Sequence, residues 1–524
     1  MAFPLEINSQ FKYALDLLQD ETRSLFITGK AGTGKSTLLE YFAQNCSKEL
    51  VLLAPTGVAA LNVKGQTIHS FFNFYIDVTP EKIRNREMRP RNPRLYKAIR
   101  TIIIDEVSMV RADILDCIDT FLRMYGPHTD RPFGGVQMVF VGDLYQLPPV
   151  VNAQERSIFS NLYESPYFFS AKVFEGFSVE IIELEKIYRQ KDQDFVDLLN
   201  RIRNNSVKTL DIDHLNSRLM PEFEAKTNEF YINLTTTNQK ADEINDKYLS
   251  KLLGKMHSFE ASISGEFNKE YFPTAPILKF KAGSQVMMLN NDSKRRWVNG
   301  TIGIVESVKK IDQEDVVNIR LQEDKTIISV QPFKWEVFKF FVENDKIKTE
   351  AVGTFSQFPF RLAWAVTIHK SQGKTFERVI IDIGKGAFAA GQVYVGLSRC
   401  TSFEGVVLKA PIMKHHIRSD PRIYKFMTGY QYRKAHEALS AQERVRIIKE
   451  AIGAGEMLEM TYLKANDTKS LRTIKPLTVG VATYGQKLFP ALRAFCFERQ
   501  EERTFHVGRI LQLVPVYTTK KAKS

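Results

Sequence analysis

The amino-acid sequence predicts an α/β protein with two doubly wound parallel sheets. Short apolar runs alternate with helical stretches over the first 180 residues, and the alternation returns between residues 230 and 410. A glycine-rich loop joins the first apolar run to a helical stretch. Strand, helix and strand repeated in this way are typical of parallel sheets covered by helices.

Five apolar runs in the first part of the chain predict buried parallel strands. A helical stripe of apolar residues between the third and fourth run includes Val110, Ile114, Ile118 and Phe121. The predicted strands are 25–28, 51–54, 101–104, 138–141 and 179–182.

The second sheet is predicted from strands at 230–234, 379–383 and 406–408, with helices at 239–253 and 392–399. Residues 259–350 differ, because they carry short β-like runs, which predict a small barrel inserted in a loop. Further on, Ser440 and Glu443 form a capping box that predicts a helix, and Gly453 or Gly455 is expected to end it. Three more strands are predicted at 457–463, 474–479 and 491–497.

Length and composition indicate a globular protein of several domains. The chain has 524 residues, 44% hydrophobic and 25% charged, which corresponds to three or four domains at about 150 residues each. No apolar run is long enough to span a membrane, and the acidic N-terminal region argues against a signal or transit peptide. Four cysteines without a CxxC pair argue against zinc or disulfides and favour a reducing compartment, here the cytoplasm.

The net charge of +13, from 73 Lys and Arg against 60 Asp and Glu, favours polyanionic partners. Much of the excess lies in residues 431–524, which hold 17 basic and 9 acidic residues. A solubilising surface is the alternative explanation.

One motif predicts a nucleoside triphosphate site. Residues Gly29 to Ser36 read GKAGTGKS, a complete GxxxxGK[ST] loop between a strand and a helix. Its glycines let backbone N–H groups surround phosphates at the helix N-terminus, where Lys35 reaches the β- and γ-phosphates and Ser36 the magnesium ion.

Two further runs carry groups suited to hydrolysis. Asp105 and Glu106 end a buried strand, where one carboxylate can hold magnesium through water and its neighbour can polarise the attacking water. Gln146 follows the next strand and is placed to meet a γ-phosphate.

The motifs occur in the order of a known family. After the phosphate loop come DEVSM at 105–109, GDLYQLPP at 142–149, TIHKSQG at 367–373 and GQVYVGLSR at 391–399. Together they resemble the petite-integration-frequency helicases, 5′-to-3′ members of helicase superfamily one related to RecD. The resemblance covers residues 7–408 and departs at Gly396, where the family usually has alanine.

The resemblance implies two RecA-like lobes with ATP and Mg²⁺ in the cleft between them. Arg189 and Arg399 match the arginines that the second lobe presents to the γ-phosphate, where arginine forks stabilise the transferring group. The implied catalytic residues are Lys35, Asp105, Glu106, Gln146, Arg189 and Arg399, and the implied metal ligands are Ser36 and Asp105. The implied nucleotide-binding residues are Gln10, which matches the adenine-reading glutamine, with Gly29, Ala31, Gly32, Thr33, Gly34, Lys35, Ser36, Thr37 and Gly373.

The resemblance also implies single-stranded DNA across the tops of both lobes, held without base readout by hydroxyls, amides and backbone N–H groups. The implied contacts are Pro55, Thr56, Gly57, Thr67, His69, Ser70 and Phe71 in the first lobe, and Thr235, Asn238, Thr367, His369 and Lys370 in the second. His69 alone would suit a packed core histidine. The aromatic cluster from Phe71 to Tyr75 fits either a stacking platform or strand-separating wedge, or a small hydrophobic core. Trp297, in a segment similar to the family's SH3-like insertion, also fits a core.

The C-terminal residues are similar to the WYL domain, a bacterial sensor fold with a basic groove, although the Trp-Tyr-Leu triplet is absent. The candidate nucleic-acid or nucleotide contacts there are Arg472, Arg493, Arg503 and Arg509; a basic accessory fold without a pocket is the alternative. The predicted domains are a RecA-like lobe 1A over 1–180 with a small 1B wedge near 62–80, a lobe 2A over 181–258 and 351–430, an SH3-like β-barrel 2B over 259–350, and a small WYL-like α+β or β-barrel domain over 438–524.

The expected activity is therefore ATP-dependent 5′-to-3′ movement on single-stranded DNA by a cytoplasmic monomer that unwinds duplex or structured DNA. Single-stranded and partial-duplex DNA are the expected partners, with G-quadruplex DNA and RNA–DNA hybrids as further possibilities and no membrane. Two alternatives remain. One is a DNA-stimulated translocase that strips proteins from DNA without unwinding, and the other is a WYL-type ligand sensor whose ATPase only switches conformation.

Overall fold

The computed structural model describes residues 8–46, 49–75, 77–151, 155–190, 192–226, 228–311, 314–344, 346–384, 389–484 and 487–516. The chain divides by its contacts into two units. The first comprises Met1–Arg203 and Val207–Arg418, and the second comprises Asn204–Ser206 and Ser419–Ser524. The ends of the predicted first lobe and of the predicted WYL-like domain, 1–7 and 517–524, lie outside the described residues.

The first five predicted strands all lie in one parallel sheet, with the order β3-β2-β4-β5-β1-β6. Its last strand ends at Leu184, beyond the predicted lobe boundary at residue 180. The elements are α1 (Ser9–Gln19), β1 (Leu25–Gly29), α2 (Lys35–Asn45), β2 (Leu50–Ala54), α3 (Gly57–Asn62), β3 (Gln66–Thr67), α4 (Ile68–Phe72), α5 (Pro80–Arg84), α6 (Pro93–Ala98), β4 (Thr101–Ile104), α7 (Ala112–Tyr125), β5 (Gln137–Val141), α8 (Arg156–Leu162) and β6 (Glu180–Leu184).

Burial explains why these runs form central strands. Every residue of β1, β4 and β5 is buried, as expected for parallel strands covered on both faces. On one face, Ile27 and Val139 pack with Phe11 of α1 and Leu38 of α2. The carboxyl ends of the three strands meet at one edge of the sheet, which brings the phosphate loop and the two loops that follow β4 and β5 together.

A second parallel sheet has the order β18-β7-β19-β20, and the predicted pair of doubly wound sheets is thereby confirmed. Its elements are α9 (Gln193–Arg203), α10 (Thr209–Asn216), β7 (Ile232–Thr235), α11 (Asn238–Lys251), β18 (Ala365–Thr367), β19 (Val379–Ile381), α12 (Gln392–Leu397) and β20 (Val406–Leu408). The intervening strands are β8 (His257–Glu260), β9 (Ser262–Gly265), β10 (Ile277–Phe280), β11 (Gln285–Met288), β12 (Ile302–Ile311), β13 (Glu314–Leu321), β14 (Ile327–Val330), β15 (Phe333–Glu343), β16 (Lys346–Gln357) and β17 (Phe360–Leu362).

The inserted β-rich segment forms separate antiparallel sheets. One has the order β14-β13-β12-β11-β17, another β15-β16-β9, and β8 pairs with β10. Trp297 lies in the core between these strands at 6% exposure, and its indole N–H donates to Asn290 Oδ1 at 3.0 Å. The structure therefore favours the explanation that Trp297 is a core residue.

The second unit is an antiparallel sheet with the order β24-β23-β22-β21-β25 and two helices. The predicted capping box of Ser440 and Glu443 is present, and Gly455, with φ of 68°, ends the helix. The second sheet's lobe was predicted to end at residue 430, whereas the first unit ends at residue 418. The helix Pro421–Ala438 packs on the strand Ile510–Val516 and so belongs to the second unit. The elements are α13 (Pro421–Ala438), α14 (Ala441–Ala454), β21 (Met457–Leu463), β22 (Lys469–Tyr484), β23 (Lys487–Cys496), β24 (Glu501–His506) and β25 (Ile510–Val516).

In the described part of the chain, no helix is both long enough and apolar enough to cross a bilayer.

Candidate functional site

The phosphate loop takes a form that only glycine permits at two positions. Gly32 and Gly34 have φ of +83° and +84°, and Gly34 caps the N-terminus of α2. A Cβ atom at Gly32 would lie 2.5 Å from Cβ of Arg189. The loop therefore passes directly beneath a residue that was predicted to act from the second lobe.

The lysine of the loop is folded onto the loop itself. Its Nζ donates to the carbonyl oxygens of Gly29 at 2.8 Å and Lys30 at 3.1 Å. Burial lowers the pKa of Lys35. The ammonium group is thus held against the loop whose sequence motif predicts phosphate binding. Ser36 and Thr37 are exposed in the first turn of α2.

Two carboxylates follow β4 at the same edge of the sheet. Asp105 Oδ1 accepts a hydrogen bond from the backbone N–H of Glu106 at 2.9 Å. Glu106 has a left-handed backbone, and its Oε2 accepts from Nε2 of Gln372 in the second lobe at 2.9 Å. Burial raises the pKa of both carboxyl groups, that of Glu106 to about 7 with a further contribution from the Asp105 charge.

The raised pKa of Glu106 predicts a pH-dependent stability without nucleotide or metal. Because its pKa rises from about 4.5 in the unfolded chain to about 7, Glu106 destabilises the folded state progressively as the pH rises through this interval. Glu106→Gln should therefore stabilise the folded state more at pH 8 than at pH 5. At pH 8 the gain in the free energy of unfolding should reach up to about 3 kcal/mol, which is seen as a higher melting temperature. Thermal unfolding in EDTA measures this. The control Glu222→Gln replaces an exposed glutamate, and such a surface substitution should change the stability little. An equal effect of Glu106→Gln at both pH values would contradict the prediction.

Gln146 lies in the loop after β5. It is 7% exposed, and its Nε2 donates to Oδ2 of Asp143 at 3.2 Å. Gly391 of the second lobe packs closely against this loop. A Cβ atom at Gly391 would lie 2.5 Å from the carbonyl oxygens of Tyr145 and Gln146. The side chain is thus held at the boundary of the two lobes.

Both predicted arginines lie at that boundary. Arg189 donates to the carbonyl oxygens of Ser398 at 3.1 Å and Gly373 at 3.2 Å. Arg399 is 1% exposed and donates to Val395 O and Ser398 Oγ, both at 2.8 Å. Burial lowers the pKa of Arg189 to about 9 and that of Arg399 to about 10. Two guanidinium groups held in place beside the phosphate loop suit an anionic ligand.

The predicted adenine-reading residue, Gln10, lies beside the end of β6. Gln10 Oε1 accepts from the backbone N–H of Glu185, just after β6, at 3.1 Å.

Gly396 lies in α12, where an added Cβ would meet Ile368 and Ile381 no closer than 3.7 Å. The position thus has room for the alanine usual in the resembled family.

For a metal, the predicted oxygen ligands are the Ser36 hydroxyl and the Asp105 carboxylate. Both are hard ligands of the kind magnesium prefers, and magnesium commonly takes one or two protein oxygens together with phosphate and water. Over the described ranges, no cluster of three His, Cys, Asp or Glu side chains could hold a metal by itself. The hydroxyl and the carboxylate are oxygen donors of the kind that fit a magnesium ion.

A groove of about 1600 Å³ runs past the first lobe. Glu266, Glu270 and Lys339 of the inserted segment line it as well, and Gly57 is close enough to that segment that an added Cβ would lie 2.3 Å from Glu270 O. Of the predicted first-lobe DNA residues, it is lined by Pro55, Thr56, Gly57, Thr67, His69 and Ser70.

Phe71 is placed differently from the prediction. It is 5% exposed and packs edge-on against Phe72, Tyr96 and Phe340, with ring centroids 4.9–5.9 Å apart. A ring enclosed in this way presents no face to a base. The core explanation holds for Phe71, as it does for Phe72 and Phe74, whereas Tyr75 is 62% exposed.

The predicted second-lobe DNA residues separate into buried and exposed members. Thr235 and Thr367 are adjacent across β7 and β18 and are buried, and their hydroxyls bond to Thr237 O and the Lys370 N–H. They shape the turn and do not face solvent. Asn238 and Lys370 are exposed and His369 is half-buried, and burial lowers the pKa of His369 and Lys370.

Of the four C-terminal arginines predicted as nucleic-acid or nucleotide contacts, Arg472 is buried. Arg472 is 4% exposed, donates to Cys496 Sγ at 3.3 Å and lies over the ring of Phe505. It stabilises the core of the sheet, because every second residue of β22 there points inward. Arg493 and Arg503 are exposed, and each pairs with a glutamate of β24. Arg509 is half-buried.

Three residues of the site were missed in the sequence. Tyr394 OH accepts a hydrogen bond from the Ala31 N–H of the phosphate loop at 3.2 Å. Asp143 and Arg203 form a buried ion pair beside Gln146, with 3.6 Å between the charged atoms. Tyr394 and Asp143 stand inside quoted motifs and could have been singled out there. Arg203 lies in none of them, and no sequence signal marks it.

The family described as PIF1-like helicase matches residues 7–212, and the family described as WYL domain matches residues 443–515. The ATP-dependent DNA helicase Pif1 of Bdellovibrio bacteriovorus is 31% identical over 439 residues, which are 82% of this chain and 93% of that protein. The human ATP-dependent DNA helicase PIF1 is 32% identical over 77% of this chain, and the chain spans only 61% of its length.

A solved structure gives the same comparison in three dimensions. Pif1 of a Bacteroides species is 35% identical, over 82% of this chain and 98% of that one. Its TM-score is 0.74 in the complex with ADP-AlF4 and 0.58 in the complex with ADP-AlF3 and single-stranded DNA.

Proposed function

This chain belongs to the PIF1-like helicase family, and from that premise we propose that it is an ATP-dependent DNA helicase that moves 5′ to 3′ on single-stranded DNA. It would unwind partial duplexes and structured DNA, and the polarity follows from the family resemblance. The Bacteroides relative was crystallised with both a nucleotide analogue and single-stranded DNA, which supports the same two ligands here.

One observation carries the proposal. Two hydrogen bonds join the lobes beside the phosphate loop: the Ala31 N–H donates to Tyr394 OH, and Gln372 Nε2 donates to Glu106 Oε2. A nucleotide that enters must change these cross-lobe bonds, and its release restores them. Binding energy is thereby linked to the relative position of the lobes, as a motor requires.

Each residue then has a distinct task. Lys35 and the loop N–H groups bind the phosphates, and Glu106 with its raised pKa accepts a proton from the attacking water. Gln146 orients the γ-phosphate end, and Arg189 and Arg399 stabilise the charge that develops there. A magnesium ion, held by Ser36 and Asp105, would neutralise phosphate charge. DNA would lie along the groove lined by Thr56, His69 and Ser70.

The C-terminal unit is proposed as an accessory nucleic-acid-binding or regulatory module. Its exposed Arg493 and Arg503 support contact with phosphates, although each already pairs with a glutamate that DNA would have to displace. Exposed ion pairs of this kind contribute at most about 1 kcal/mol, so the displacement would cost little.

Strand displacement on matched partial duplexes with either a 5′ or a 3′ single-stranded tail tests the main proposal. With ATP and Mg²⁺, unwinding is expected from the 5′ tail, and Lys35→Ala should abolish it. Unwinding from the 3′ tail alone would refute the polarity. DNA-stimulated ATP hydrolysis without unwinding from either tail would favour a translocase that strips proteins from DNA. Nucleotide-independent binding to one DNA sequence would favour the ligand sensor.

A further inference from the structure

A buried carboxylate joins the nucleotide site to two helices outside the first lobe. Asp143 is 1% exposed and lies in the loop after β5. Its oxygens accept from the Tyr145 N–H at 3.2 Å and from Gln146 Nε2 at 3.2 Å. They also contact Tyr394 OH at 3.5 Å and the guanidinium of Arg203 at 3.6 Å. The proposed γ-phosphate glutamine therefore shares its partner with residues of α9 and α12.

Arg203 is held as a cation in this buried place. It is the last residue of α9, 2% exposed, and its guanidinium lies 3.7 Å from the centroid of the Tyr145 ring. Burial acts to lower its pKa, but the Asp143 carboxylate raises it, and the net shift is upward. Since a buried ion pair is an uncertain source of stability, its presence beside a functional loop suggests a role in fixing geometry.

Tyr394 connects the same carboxylate to the phosphate loop. Tyr394 is 4% exposed, and its hydroxyl accepts from the Ala31 N–H at 3.2 Å and can donate to Asp143 Oδ2. Burial raises the pKa of Tyr394 to about 12, so the hydroxyl keeps its proton. A phosphate that takes the Ala31 N–H displaces this hydroxyl, and the change reaches Asp143 directly.

We propose that Arg203 is a positioning residue for ATP hydrolysis. Through Asp143 it holds Gln146 and Tyr394 in the arrangement in which phosphate binding and contact with the second lobe are linked. The inference rests on the proposed ATPase function and adds to it a residue outside the motifs. If the pair sets geometry, its loss lowers the turnover number and the stimulation by DNA, while the affinity for ATP stays.

The test compares the parent protein with two variants of the pair and one control variant. Arg203→Met with Asp143→Asn removes both charges, so that no uncompensated buried charge remains. Arg203→Lys keeps the charge. Arg201→Gln is the matched control, because Arg201 lies on the same helix and pairs with Asp211 at a more exposed place. The measurements are kcat and KM for ATP with and without oligo-dT, and the melting temperature.

The double variant is expected to lose tenfold or more in DNA-stimulated kcat with KM for ATP within threefold, and Arg203→Lys should recover part of the loss. Arg201→Gln should match the parent. A double variant with kcat within twofold of the parent would overturn the inference, as would equal losses in kcat and KM with a collapsed melting temperature. Absence of DNA-stimulated hydrolysis in the parent protein would instead overturn the proposed function, and the inference with it.

Discussion

Replacing Lys35 by alanine is expected to lower ATP hydrolysis by about 100-fold or more, the usual effect of removing a pre-organised charge from a phosphate-transfer site. The ammonium is held against the phosphate loop by the carbonyl oxygens of Gly29 and Lys30. A coupled assay of phosphate release with saturating oligo-dT measures the effect.

The control for this variant is Lys30→Ala. It removes one lysine from the same loop, while the backbone carbonyl that accepts from Lys35 remains. Its hydrolysis rate should stay within a few fold of the parent. The fold of Lys35→Ala should survive, since the variant removes a buried ammonium whose pKa is already lowered. Hydrolysis within tenfold of the parent would show that Lys35 does not bind the transferring phosphate.

Arg399→Lys is expected to lower kcat by about 1,000-fold, the smaller end of the range for an arginine that stabilises a phosphoryl transition state. The guanidinium donates to four oxygens, the shortest bonds being those to Val395 O and Ser398 Oγ, and lysine cannot form both of these while reaching a phosphate. Because the residue acts mainly on the transition state, KM for ATP should change little. Steady-state kinetics with oligo-dT test this.

A matched control for Arg399 is Arg218→Lys. Arg218 also belongs to the second lobe and also donates to backbone carbonyl oxygens, those of Val406 and Glu404, but it lies away from the nucleotide site. Its replacement should leave kcat within a few fold. If both variants lost activity and stability together, Arg399 would be a structural arginine only.

Prediction from the sequence was most reliable where a local pattern carries the information. The run of apolar residues at 101–104 forms β4 with the same bounds, and the capping box at Ser440 starts α14 as expected. Both follow from short-range chemistry, namely burial of a central strand and satisfaction of free N–H groups at a helix end. The family resemblance, which rested on ordered motifs, is confirmed by the relatives.

Long strands with mixed exposure were harder to predict. The hairpin of β15 and β16 spans 11 and 12 residues, yet neither strand was singled out. Part of β15 is intermediate in burial on both faces, so the apolar residues do not alternate cleanly. The strand is stabilised by hydrogen bonds to β16, and the pattern of apolar residues within β15 does not reveal these bonds.

The sequence by itself determined the family and the two parallel sheets, because these follow from motifs and from the periodicity of burial. Only the tertiary structure decided which of the predicted polar and aromatic side chains are buried in a core and which are exposed. Phe71 and Arg472 turned out to be core residues, since packing against Tyr96 or Cys496 depends on distant segments. The tertiary structure likewise paired Arg203 with Asp143, sixty residues apart, because a buried charge takes its partner from whichever segment folds beside it.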